Sequence, residues 1–88
     1  MSDTKPLTMR PLGPGRHYAF APNGDMLLAV RIHRTTVWLL RRVPANKVRR
    51  HADGSVDTYM DHCSQHVDTA YNLRSIKQAA ARLLHTTP

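Results

Sequence analysis

Between His17 and His33 the apolar residues fall into two alternating sets around one turn signal, Ala21-Pro22-Asn23-Gly24-Asp25. Proline suits the first central position of a type I turn, and glycine suits the left-handed position that closes a three-residue hairpin loop. With Pro22, Asn23 and Gly24 as the loop, Ala21 faces Asp25, Phe20 faces Met26 and Tyr18 faces Leu28. One parity then collects Tyr18, Phe20, Met26, Leu28, Val30 and Ile32, and the other His17, Ala19, Leu27, Ala29, Arg31 and His33. This division predicts a half-buried β-hairpin.

Thr35-Thr36-Val37-Trp38-Leu39-Leu40 is β-branched, aromatic and apolar, which predicts a further strand ended by Pro44. Positions 26, 30, 33, 37 and 40 also fit a helical spacing, but Val30, Ile32, Thr35, Thr36, Val37 and Val43 favour strands over that window. The turn near Arg34 has neither glycine nor asparagine to mark it. Asp53-Gly54 is a second hairpin signal, and a two-residue turn there sets Arg50 opposite Asp57 and Val48 opposite Tyr59.

The apolar period becomes helical after Tyr71. Asn72 is a good N-cap, and Tyr71 before it with Ile76 at the fourth helical position has the layout of a hydrophobic staple. Leu73, Ile76, Ala80, Leu83 and Leu84 share one face, with Arg74, Lys77, Gln78 and Arg82 elsewhere, which predicts a helix over 72–85. The expected fold class is α+β: a small antiparallel β-sheet of three to five strands with one C-terminal α-helix packed on one face. The helix is expected on Tyr18, Phe20, Leu28, Val30 and Ile32. Val37 and Leu39 then also face it, while Leu27, Trp38 and Leu40 fall on the uncovered side and form an apolar protein-interaction surface, unless the parity is reversed or the proline-rich arm covers them. Residues 1–15, with Pro6, Pro11, Gly13, Pro14 and Gly15, read as a flexible arm before a single domain over 16–88.

Composition narrows this picture. Eighty-eight residues make one domain, and an apolar share of 41% is enough for a core. The single cysteine, Cys63, allows no internal disulfide, which points to a reducing, cytoplasmic setting. No run in the first twenty residues resembles a signal-peptide core, and Arg31, His33 and Arg34 interrupt the apolar stretch from Met26 to Leu40. No membrane partner is expected.

Charge changes the picture most. The net charge is +7, and no acid lies between Asp25 and Asp53, where Arg31, Arg34, Arg41, Arg42, Lys47, Arg49 and Arg50 fall. A chain of this kind favours polyanions. Arginine outnumbers lysine ten to three, and its planar fork suits phosphates and base edges. The expected nucleic-acid-binding residues are Arg41, Arg42, Lys47, Arg49 and Arg50, aided by Arg74, Lys77 and Arg82. Trp38 and Tyr59, where exposed, offer stacking surfaces. An internal Arg50–Asp57 pair would neutralise part of this cluster.

Other chemistry is thinly represented. His51, His62, Cys63 and His66 are zinc-ligand types, yet there is no Cys-x-x-Cys and four well-spaced ligands are hard to assemble. Cys63 between histidines lacks the orienting third group and pocket of a thiol nucleophile. Asp53, Asp57 and Asp61 recur every four residues, but Asp53-Gly54 opposes a helix there and no calcium loop is completed. Neither catalysis, a cofactor, a metal nor a small-molecule substrate is expected. No helix-turn-helix, zinc-finger, RNP or GxxG pattern is present. The expectation is a small basic non-enzymatic DNA-binding or other nucleic-acid-binding protein. The rival is a protein-binding modulator or inhibitor, accessory or phage-type, docking through the Trp38 or basic surface, alone or as a homodimer.

Overall fold

A computed structural model describes residues 5–49, 51–53 and 64–86. Five strands, β1 (Arg10–Gly13), β2 (Arg16–Phe20), β3 (Met26–Arg31), β4 (Trp38–Val43) and β5 (Gln65–Ala70), are followed by one helix, α1 (Leu73–Thr86). The strands form one antiparallel sheet in chain order, β1-β2-β3-β4-β5. The α+β class with a C-terminal helix is therefore the architecture of the molecule. No helix among the described residues is long and apolar enough to cross a membrane.

The β2–β3 hairpin has the expected register, with Phe20 opposite Met26 and Tyr18 opposite Leu28. Ala21 N donates to Asp25 O at 2.8 Å and Gly24 N to Ala21 O at 2.9 Å, which closes the loop. Gly24 has φ +95°, and a Cβ there would lie 3.2 Å from the Ala45 Cβ, so this position needs glycine for both conformation and space. The β3–β4 turn is built differently. Arg34 takes φ 62°, the left-handed region, and Thr35 does the fastening. Its Oγ1 donates to Ile32 O at 2.7 Å and accepts from Val37 N at 3.1 Å.

Strands β1 and β5 are the sheet's edges. Residues 5–13 are not a free arm: Leu7 and Met9 pack into the core, Leu7 N donates to Lys77 O at 3.0 Å, and Arg10–Gly13 pairs with β2. Pro11 is tolerated because an edge strand has one side on which no N–H is needed. The register shifts once in β1, between Pro11 and Gly13, and once opposite β5, where Leu40 pairs with Asp68 but Arg41 with His66. Such bulges twist an edge away from further pairing. After β4, Pro44 leads into a short 3₁₀ turn, Ala45–Lys47. Val48, Arg49 and His51 are not in a strand, and Arg50 and residues 54–59 of the expected Asp53-Gly54 hairpin, Asp57 and Tyr59 among them, lie outside the described residues.

The helix packs on the opposite parity from the one expected. Leu27, Ala29, Trp38 and Leu40 are buried with Ile76, Ala79 and Ala80, and Leu73, Leu83 and Leu84 pack against them. The expected apolar interaction surface of Leu27, Trp38 and Leu40 is thus the floor beneath the helix. Small residues suit the choice: Ala29 on the sheet shares one cluster with Ala79 and Ala80 on the helix, with Ala19 and Ala70 packed against it, and alanines permit close approach. The other face carries a second cluster of Met26, Leu28 and Val43, flanked by Leu12, Tyr18, Phe20, Val30 and Val48. Tyr18 and Phe20 meet edge to face there at 5.8 Å, so large rings cover that surface without a helix. Ile32, expected beneath the helix, is 42% exposed.

The helix cap is as the sequence predicts, with Ser75 N donating to Asn72 Oδ1 at 2.8 Å. The staple is not made, because Tyr71 is 73% exposed while Ile76 is fully buried. Two outcomes follow from this packing. Ile76→Ala should cost about 2–5 kcal/mol and Arg82→Ala, on the exposed side, less than about 0.5 kcal/mol in parallel urea melts. Arg34→Gly should raise stability by about 0.5–1 kcal/mol, since glycine occupies the left-handed region without a Cβ penalty. A loss of stability in that variant would mean that the arginine side chain supports the turn.

Candidate nucleic-acid interface

The basic residues singled out by the sequence do not form one patch. Arg41 is half-buried on the face away from the helix. Its Nε donates to Ser64 Oγ at 2.5 Å and its Nη2 to Ser64 O at 3.1 Å, which ties β4 to the chain entering β5. Arg42 points to the helix side, 3.4 Å from Asp25 Oδ2. Asp25 in turn accepts from Ala45 N at 2.8 Å and from Asn23 Nδ2 at 3.3 Å. That carboxylate holds the β2–β3 loop, the 3₁₀ turn and Arg42 together. Arg41 and Arg42 therefore act first as structural groups, which a linear charge run does not reveal.

Lys47, the last residue of the 3₁₀ turn, and Arg49 just past it are exposed at the end of the sheet that carries the β2–β3 loop. Arg82 is exposed in the C-terminal half of α1, beside Leu83 and Leu84. Those two leucines line a cleft of about 110 Å³ with Ala21, Pro22, Asn23, Asp25, Leu27 and Arg42, so the helix C-terminus lies at this same end. Arg74, in the first turn of the helix, is exposed at the opposite end. Lys77, expected on the outer face, is half-buried and close enough to His17 for their charges to interact. Arg50 lies outside the described residues.

The remaining candidates are scattered. Trp38 is buried and tilted against His17 with ring centroids 5.8 Å apart, so it offers no stacking surface. His51 and His66 are exposed, and His66 Nε2 lies 2.9 Å from Thr69 Oγ1; His62 and Cys63 fall outside the described residues. Among the described residues no three His, Cys, Asp or Glu side chains gather as metal ligands.

Sequence reasoning passed over the other end of the sheet. There the β3–β4 loop presents Arg31, His33 and Arg34, all exposed, together with Ile32. Tyr71, the most exposed of the large hydrophobic side chains among the described residues, leaves β5 at this end. The signal was present in Arg31-Ile32-His33-Arg34, a basic stretch at a hairpin tip. It was obscured by assigning Ile32 to the core and Tyr71 to a staple.

No protein family, curated protein or solved structure with which the chain was compared matches it.

His17, on β2 beneath the helix, has its proton affinity shifted by its surroundings. Burial, and secondarily the Lys77 charge, hold its pKa below 6.5. Its Nδ1 is buried with no hydrogen-bond partner among the described residues. The unfolded chain thus binds a proton on this side chain at a pH where the fold does not. The contribution of His17 to stability is therefore fully present above about 6.5 and is lost as pH falls from there toward the folded pKa. Urea melts at pH 7 and pH 5 should show a smaller acid loss for His17→Phe than for the parent chain. Equal losses would assign the acid sensitivity to other groups.

Proposed function

We propose that this chain is a non-enzymatic nucleic-acid-binding protein that uses its arginine-rich surface to engage phosphates. The observation that carries the reading is the sign of the exposed charge. Among the described residues eight Lys and Arg side chains are exposed (Lys5, Arg10, Arg31, Arg34, Lys47, Arg49, Arg74 and Arg82) against two Asp, Asp53 and Asp68. Asp25 is already committed to Arg42 and Ala45. The exposed surface of the described residues therefore carries a large excess of positive charge, available to a polyanion. Contacts of this type supply affinity and position rather than sequence preference.

The rival reading, a modulator docked through Leu27, Trp38 and Leu40, loses its apolar surface to the helix. What remains of that reading is its basic surface, which would dock an acidic patch on a protein partner.

Duplex affinity should fall with salt along a log–log slope of about −3 to −5, corresponding to about four or five neutralised phosphates. Lys47→Glu and Arg49→Glu together should flatten that slope by about 2. Lack of any duplex or single-strand binding at low salt would end the proposal and leave the acidic-protein reading.

A further inference from the structure

The two ends of the sheet differ in chemistry. At the β2–β3 loop end the exposed cations Lys47 and Arg49 have no exposed large hydrophobic side chain of the described residues beside them, which suits phosphates alone. At the β3–β4 loop end, cations and free apolar surface occur together. The last complete row of the sheet there is Arg31, Trp38 and Ala70, on three adjacent strands. Immediately beyond it Ile32 N donates to Val37 O at 2.9 Å, and Tyr71 and the start of α1 follow Ala70. Arg31, Ile32, His33, Arg34, Tyr71 and Arg74 are all exposed within this small compass, and no acid occurs in either segment, 31–37 or 71–74.

The loop that carries Arg34 is a fixed one. Thr35 makes the hydroxyl bonds to Ile32 O and Val37 N described above, and Thr35 N donates to Ile32 O at 3.1 Å. An arginine occupies the left-handed position at the tip, where glycine would be less strained, so its backbone does not explain its presence there. The first turn of α1 contains Arg74 and no acid, although a helix start favours negative charge. Both features are explained by an anionic ligand, and Tyr71 specifies what else that ligand must offer. An aromatic side chain 73% open to water has a face on which a planar base can stack. Duplex bases are already stacked on one another and have no free face to give.

We infer that this end of the sheet is a single-strand-binding site, in which Tyr71 stacks a base and Arg31, Arg34 and Arg74 hold the neighbouring phosphates. The inference rests on the nucleic-acid reading above and narrows the partner to strands with unstacked bases.

The full chain is titrated at low salt with a fluorescein-labelled oligothymidylate of about 12 nucleotides and, separately, with a labelled duplex. Tyr71→Ala should weaken oligothymidylate binding by about 5- to 100-fold, the range expected for one stacked base, and leave duplex affinity within about 2-fold. Tyr71→Phe, which keeps the ring, should bind the oligonucleotide like the parent. Arg34→Ala should lower the salt slope for the single strand by about 1. Parent-like oligothymidylate binding by Tyr71→Ala overturns the inference and leaves the nucleic-acid reading standing, as does an equal loss on both probes. Failure of the parent chain to bind either probe overturns both.

Discussion

Four consecutive residues of β3, Met26, Leu27, Leu28 and Ala29, have no exposure to water at all. Successive strand side chains point to opposite sides, so burying four in a row requires cover on both faces of the sheet. A domain of this size has one helix to spend, and it goes to the side of Leu27 and Ala29. The side of Met26 and Leu28 must be closed by other means: the Tyr18–Phe20 ring pair, Leu12 from the bulged first strand, and Val48 returning after the 3₁₀ turn. The N-terminal segment is drawn in by the same demand, since Leu7 and Met9 complete the helix-side core. Even the carboxylate of Asp25 serves it, by holding the loop before β3 against the chain leaving β4.

Legibility in the sequence followed locality. The β2–β3 hairpin and α1 are announced by residues adjacent to them, Pro22-Asn23-Gly24 and Asn72, and both were readable to within a residue or two. Strand β5 was not, because an edge strand with Gln65 to Thr69 all exposed has no polar–apolar alternation to read, and its pairing with β4 is non-local. Strand β1 was hidden by Pro11 and Gly13, which mark a loop unless an edge is available to accept them. The face taken by the helix was also beyond periodicity. When both parities are apolar, alternation fixes the two sets but not which one the helix covers; shape, set by alanines on both partners, decides that.

The same distinction governs the surface. A count along the chain finds the basic run from Arg41 to Arg50, yet two of its arginines are consumed internally by Ser64 and Asp25. Charge becomes available where the backbone turns outward, at Arg31–Arg34 and at Arg74. The aromatic residue that matters by exposure is Tyr71 rather than Trp38, because the chain leaves β5 with its ring outside the core. These are consequences of tertiary direction, which residue type alone does not encode.

The sheet's strand order, identical to chain order, also bears on how the molecule assembles. Pairings β1–β2, β2–β3 and β3–β4 each close a loop of a few residues, at small entropic cost, so these four strands can zip together one hairpin at a time. The β4–β5 pairing spans the stretch from Val43 to Gln65 and is the costly closure. The helix is reached only through β5, while the side chains it must cover, Leu27, Ala29 and Leu40, sit in the early hairpins. During synthesis those residues are therefore made before the helix that covers them. A sheet face of this kind, formed without its helix, would be an adhesive apolar surface, so the C-terminal residues protect the N-terminal ones from aggregation.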